Sequence, residues 1–335
     1  MSARGAPPGD GLAQAADLVA AGGPRLAGLL ERSEVRLAEV AAGYGERLAE
    51  HAAGTLAAGG KRLRPTLVFI VAGEATSSEL VEAAVAVELL HMATLVHDDV
   101  LDRASLRRGR PTVFAASGRP AATATGDLLF SRAFAVLAAT GSAGAVRALS
   151  DASSALARGE MMQREDAWSG AVTPERYLER CRLKTARLFE AACRLGALLG
   201  DPGPGAANGL GRFGERIGLA FQIFDDVLDV SGPAERTGKE RGTDLLDGTV
   251  TLPLILARRR DERLRELDLR SAITGPDQAA ALCDEIAATG ALDDARDAAL
   301  AHVCDAKSEL DRIELPAEQR SLLGLVADGV VERYA

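Results

Sequence analysis

The stretch 95–105, "LVHDDVLDRAS", decides the fold. It closes an apolar run, "AAVAVELLHMATLV" (83–96), with three carboxylates, Asp98, Asp99 and Asp102. Residues four apart on a helix share a face, so Asp98 and Asp102 project together while Asp99 stands about 100° around. The break "RRGRP" (107–111) follows closely. The trio therefore lies in the last turns of its helix, where the macrodipole disfavours negative charge. Residues 221–231, "FQIFDDVLDVS", repeat the arrangement with Asp225, Asp226 and Asp229. One such trio reads equally well as a solvated acidic helix end. Two of identical spacing, each behind an apolar run, indicate cation binding. Oxygen ligands without a companion His/Cys set fit Mg²⁺, with Mn²⁺ as the alternative, rather than zinc. Magnesium keeps waters and shares its sites with substrate phosphates, so two facing trios would hold several ions around one diphosphate.

Outward from these helices the pattern stays helical. Ala, Leu, Glu and Arg dominate, and strand-like alternation is scarce. The spacing predicts helices near 25–58, 65–73, 78–103, 119–139, 143–164, 174–200, 205–231, 250–260, 276–289, 291–312 and 316–333. Residues 1–24 read as a flexible tail, and 25–335 as one all-α domain, because no break is long or polar enough for a linker. The echo between the trios has no shorter period, which argues against a solenoid.

Composition bounds the function. Across 335 residues, 39 basic against 48 acidic side chains give a net charge of −9, which argues against a general nucleic-acid or anionic-membrane surface. Cys181, Cys193, Cys283 and Cys304 show no CxxC spacing and suit a reduced, cytoplasmic setting. The run 83–96 is interrupted by Glu88 and His91 and falls short of the roughly 20 apolar residues of a bilayer helix. It reads as a core helix, and no segment reads as transmembrane or as a targeting signal.

A diphosphate held by metal needs cations beside it. "GGKRLRP" (59–65) supplies Lys61, Arg62 and Arg64 behind two glycines, and "RRGRP" supplies Arg107, Arg108 and Arg110. Lys184 precedes Thr185 in "RLKTARLFE", and Lys239 lies in "GKERGTD". Each alone is an ordinary surface charge; together with the carboxylates they point to a polyanion between them. His91, two turns before Asp98, is open to a core or a phosphate-contact reading. His51, His97 and His302 show no such alignment. Gln163 and Gln222 are polar positions on apolar helices, and Gln222 lies one turn from the second trio.

The chain resembles the trans-isoprenyl diphosphate synthases of the polyprenyl synthetase family, from about Leu26 onward. The resemblance is carried by "GGKRLRP", "HDDVLDRASLRRGRPT", "GD" (126–127), "KT" (184–185), "FQIFDDVLD" and "GKERGTDLLDGTVTLP". It implies an all-α bundle around a deep central apolar cavity, normally a homodimer, condensing isopentenyl diphosphate head-to-tail with an allylic diphosphate. By motif match Asp98, Asp99, Asp102, Asp225, Asp226 and Asp229 hold Mg²⁺, three ions with substrate bound. Arg107, Lys184, Thr185, Gln222 and Lys239 serve the allylic diphosphate, and Lys61, Arg64, His91 and Arg108 hold isopentenyl diphosphate. One departure is Thr249, which stands where the pattern has lysine.

The resemblance also implies that a bulky side chain four or five residues before the first aspartate shortens the product. Thr94 and Ala93 occupy those positions, and both are small. At roughly 1.5 Å per residue, Leu90, Leu89 and Val87 lie about one to two turns further along the wall. Phe130 and Phe134 are candidate floor residues, or plain core aromatics. These residues predict an all-trans product longer than twenty carbons. The alternatives are a geranylgeranyl or farnesyl diphosphate synthase, a class I terpene cyclase, or a non-catalytic partner subunit of a heteromeric synthase.

Overall fold

The computed structural model describes residues 17–43, 45–57, 59–107, 109–232 and 241–332. Gly23–Ala42 (α1) and Glu46–Ala57 (α2) lead to Leu63–Val71 (α3) and Ser78–Leu101 (α4). A hairpin of Leu106–Arg107 (β1) and Arg110–Pro111 (β2) turns the chain into Val113–Ala138 (α5), Ala143–Asp166 (α6) and Pro174–Cys181 (α7). One π-helical turn, Arg182–Ala186, joins α7 to Arg187–Leu199 (α8), and Gly203–Ser231 (α9) follows. The remainder is Thr243–Leu246 (α10), Leu252–Arg260 (α11), Glu262–Glu266 (α12), Leu269–Ala272 (α13), Pro276–Ala288 (α14), Ala291–Asp311 (α15) and Ala317–Glu332 (α16). The all-α expectation holds.

Short polar side chains start the helices around the first trio. Ser77, Thr112, Ser142 and Thr173 accept bonds from Leu80, Ala115, Ala145 and Arg176 backbone N–H groups, capping α4, α5, α6 and α7. Each cap satisfies one orphan donor of the first turn. Helix α4 is the central element. Leu80, Val85, Leu89 and Leu90 have no exposed surface, and the helix packs on α5, α3, α1 and α8. Among the described residues it is the one helix long and apolar enough to cross a membrane, yet 72% of its most apolar window is buried inside the protein. Its all-round apolarity is that of a core helix.

Several boundaries differ from the sequence expectation. Residues 17–21 are helical with Leu18 buried, so folded structure begins ahead of residue 24. The helix expected over 25–58 is two, separated after Ala42, where Gly45 takes a left-handed φ of 80°. Gly118, with φ 79° and ψ 174°, kinks α5, which starts at Val113 ahead of Pro120 rather than at 119. The span 174–200 contains the π turn, which moves every following side chain around the axis relative to a continuous α-helix.

Candidate active site

The end of α4 turns its three aspartates in two directions. Asp99 is buried, and its Oδ1 accepts a 2.7 Å hydrogen bond from Arg107 Nε. Asp102, at the helix C-cap, accepts from Arg164 Nη2 at 2.6 Å. Asp98 is half-buried; burial pushes it up to about 6, Lys184 opposes the shift, and Glu160 and Asp102 add to it. Lys184 Nζ donates to Glu160 Oε2 at 2.5 Å, and Arg164 Nε donates to Glu160 Oε1 at 2.8 Å. Asp98, Asp99, Asp102 and Glu160 thus share the three cations Arg107, Arg164 and Lys184, and the surplus charge suits a further cation.

The π turn lies between the two trios, and glycines let it do so. A Cβ on Gly159 of α6 would sit 2.6 Å from Lys184 N, and one on Gly218 of α9 would sit 2.5 Å from Ala186 Cα. Without side chains there, both helices close directly on the turn's backbone. Lys184 is thereby aimed at α6 and the first trio. Thr185, next along, reaches the other way: its Oγ1 donates to Gln222 Oε1 at 2.7 Å.

Gln222 passes the connection to the second trio. Its Nε2 donates to Asp226 Oδ1 at 2.8 Å, and Tyr177 OH donates to Asp226 Oδ2 at 2.6 Å. Asp226 is buried, which holds it well above the usual carboxylate range against the pull of those two hydrogen bonds. Asp225 and Asp229 are half-buried, and Asp229 Oδ2 accepts the Asp244 backbone N–H at 3.2 Å. In both trios, then, the middle aspartate is turned inward onto protein donors, as its 100° offset on the helix requires. Asp99 and Asp226, grouped with the ligands on sequence spacing, differ in this from their neighbours.

Tyr177 was not singled out by sequence, and its role yields a stability prediction. Tyr177→Phe strips one donor from a buried carboxylate and is expected to destabilise the fold by about 1–3 kcal/mol. Urea unfolding of parent and variant at neutral pH measures the difference; equal midpoints would contradict the assignment.

Among the described residues, no three His, Cys, Asp or Glu side chains converge closely enough to cage an ion alone. That donor set, paired carboxylates facing cations, fits Mg²⁺, which keeps waters and bridges to substrate phosphates rather than sitting in an all-protein cage.

A cavity of about 670 Å³ opens beside α4. His91, Arg62, Glu88, Asp99 and Arg107 form much of its polar lining, and Met92, Leu95 and Val113 are on its apolar side. His51 lines it too, although its sequence context gave no hint; α2 folding against the α4–α5 pair brings it there. Arg62 anchors the "GGKRLRP" turn. Its backbone is left-handed, with φ 45°, and its guanidinium bonds Glu88 at 2.9 Å and Glu34 at 2.5 Å. Arg64 lies over the Phe189 ring, 4.6 Å from its centroid. Arg108 and Lys239 lie outside the described residues. Ala93 is fully buried, and Thr94 is half-buried with its hydroxyl donating to His91 O at 2.7 Å; neither lines this cavity. Phe134 is half-buried and stacks at 5.2 Å on Phe130, which reaches the surface. Gly126 leaves room for the His97 ring, and His97 Nε2 lies 3.2 Å from Asp127 Oδ1.

Known proteins share this arrangement of motifs and helices. The polyprenyl synthetase family model matches residues 46–288, well over half of the chain. Component 2 of heptaprenyl diphosphate synthase from Geobacillus stearothermophilus is 45% identical over 221 residues, 65% of this chain and 68% of that protein. Geranylgeranyl diphosphate synthase from Methanosarcina mazei is 36% identical over 284 residues, covering 82% of this chain and 86% of the relative. The crystal structure of a polyprenyl synthase from Caulobacter crescentus complexed with calcium and isoprenyl diphosphate superposes with a TM-score of 0.83. It is 32% identical and covers 96% of this chain and 98% of that one. With the family model, the motif order and the helical architecture in agreement, the chain belongs to the polyprenyl synthetase family and is a trans-prenyltransferase.

Proposed function

We propose that the chain condenses isopentenyl diphosphate with an allylic diphosphate at the cleft between the two trios. The observation that carries this reading is that one π turn bonds toward both acidic motifs: Lys184 donates to Glu160, which also holds Arg164 on Asp102, and Thr185 donates to Gln222, which donates to Asp226. Asp98, Asp102, Asp225 and Asp229 would hold Mg²⁺, while Asp99 and Asp226 position them from behind. Bound Mg²⁺ supplies Lewis-acid neutralisation of the charge that builds on the departing diphosphate. Lys184 contacts that same diphosphate, and the Thr185 hydroxyl would turn its proton from Gln222 Oε1 to a phosphate oxygen when the diphosphate binds. Arg107, tied to Asp99, serves the same diphosphate, a role the motif match also gives Lys239. Lys61, Arg64, His91 and Arg108 hold isopentenyl diphosphate, and the cavity beside α4, with His91 and Arg107 in its wall, supports placing it there. Ionisation of the allylic C–O bond gives a cation, the isopentenyl double bond attacks it, and the departing diphosphate takes the released proton. Met92 and Leu95 help keep water from that cation.

The product proposed is all-trans and longer than C20. Small residues at Ala93 and Thr94 support it, as does the higher identity to a heptaprenyl synthase component than to the geranylgeranyl synthase. Ala93→Phe is expected to shorten the product by one or more isoprene units, read by mass spectrometry of the dephosphorylated alcohols. An unchanged length would remove Ala93 from the wall of the chain tunnel. The proposal includes a homodimer, with exposed Phe130 and Met161 as candidate contacts, and a cytoplasmic setting suited to its free thiols.

Labelled isopentenyl diphosphate offered with geranyl, farnesyl or geranylgeranyl diphosphate tests the reaction. Incorporation that a chelator abolishes is the expected result. Cyclised hydrocarbon would favour the terpene cyclase. Silence with every primer would favour a subunit that needs a partner, a reading kept open by the two-component name of the Geobacillus relative.

A further inference from the structure

We propose that Arg164 is an additional diphosphate-binding cation of this chain, held on Asp102 until a metal-bound diphosphate replaces that partner. The inference rests on the proposed function. Arg164 lies in "RGEMMQRED" (158–166) on α6 and is bonded from two sides. Glu160, one turn earlier on the same helix, accepts its Nε at 2.8 Å; Asp102, 62 residues away, accepts its Nη2 at 2.6 Å. The other oxygen of Glu160 accepts Lys184 at 2.5 Å, and the Glu160 side chain is 15% exposed. One well-buried carboxylate thus aims two cations, from separate helical segments, along the edge occupied by Asp98 and Asp102.

The two bonds of Arg164 differ in permanence. Its bond to Glu160 lies within one helix face and needs nothing from the cleft. Its bond to Asp102 uses a carboxylate that shares the cleft face with Asp98 and would turn to an ion. When Asp102 does so, Arg164 keeps Nε on Glu160 and is left with its Nη donors facing the same space. A guanidinium fork matches paired phosphate oxygens, which a lysine meets as a point charge. The Asp102 pair is also poorly explained as a stabilising one. At 39% and 30% side-chain exposure, such pairs add little to folding. As a holding contact it makes sense: it keeps Asp102 from repelling Asp98, and it is exchanged for a stronger one when the anion arrives.

Calorimetric titration of inorganic pyrophosphate at fixed Mg²⁺ tests this, using parent, Arg164→Gln, Arg164→Lys and Asp102→Asn chains of unchanged circular dichroism. Arg164→Gln is expected to weaken pyrophosphate binding about tenfold, the loss of one charge-assisted contact, with Arg164→Lys in between. Unchanged or tighter binding by Arg164→Gln would overturn the proposal and make the residue a bystander or a plug on Asp102. Asp102→Asn separates the two levels. Weakened binding there beside an unaffected Arg164→Gln sinks the Arg164 role alone, whereas no effect of Asp102→Asn sinks the metal–diphosphate reading and this inference with it.

Discussion

Asp98→Asn is expected to turn over about 10²–10³-fold more slowly than its parent and, without metal, to melt at a higher temperature. The loss follows from removing one of the proposed metal ligands, on the face that Asp98 shares with Asp102. The gain follows from burial. Asp98 is half-buried near Glu160 and Asp102, and its ordinary value of 3.8 rises to about 6. A carboxylate raised in the folded state binds its proton more tightly there than in the unfolded chain. Its charge therefore opposes folding progressively as pH climbs through that window, and not below it. At pH 8 the neutral amide avoids that penalty, about 1–2 kcal/mol for a part-buried group whose attraction to Lys184 is also lost. The difference in Tm should shrink as pH falls toward the ordinary carboxylate range. Mg²⁺ with pyrophosphate should reverse the ranking, raising the Tm of the parent and not of the variant. Calorimetric melting at several pH values, with and without those ions, gives all three comparisons. A variant that is both slow and less stable in every condition would mean Asp98 is a structural residue.

The second large effect is expected at Gly159→Ala. A helix normally gains about 0.8–1 kcal/mol when glycine becomes alanine. Here the new Cβ would meet Lys184 N at 2.6 Å, Cα at 2.9 Å and Cβ at 2.9 Å. Backbone cannot swing aside as a flexible side chain can, so α6 and the π turn must part. Overpacking of this kind costs about 1–3 kcal/mol, which outweighs the helical gain. The displaced element is the one that carries Lys184 and Thr185. A shift of about 1 Å in such groups is enough for roughly a 10²-fold fall in kcat. Gly28→Ala is the control, because nothing lies within 4 Å of its Cβ, and that variant should be slightly more stable and fully active. Chemical denaturation and steady-state kinetics on the two variants decide it. If Gly159→Ala behaved like the control, the close packing of α6 on the turn would have no bearing on function.

The fold and the helical placement of the two acidic motifs were legible because their signals are local. Asp98 and Asp102, or Asp225 and Asp229, reveal a shared face by spacing alone, and the apolar runs before them mark the buried helices. "GGKRLRP" and "KT" are equally readable as contiguous stretches. The unread parts depend on packing between distant segments. Tyr177 meets Asp226 across 49 residues and Arg164 meets Asp102 across 62, and neither pairing leaves a periodic trace. The π turn at Arg182–Ala186 is invisible for a different reason: its residues are ordinary helix formers, and the room for it is left by Gly159 and Gly218 on neighbouring helices. Asp99 and Asp226 show the limit of motif spacing. The pattern groups all three aspartates and leaves out that the middle one of each trio bonds protein donors, Asp99 with Arg107 and Asp226 with Tyr177 and Gln222.

Mass spectrometry of the product made by the purified chain from farnesyl diphosphate, isopentenyl diphosphate and Mg²⁺ tests the central claim most directly. The expected result is a linear, all-trans polyprenyl diphosphate extended past C20 one isoprene unit at a time, and none when a chelator replaces the metal. Unreacted substrates, a cyclic hydrocarbon, or a product that stops at C20 would contradict it.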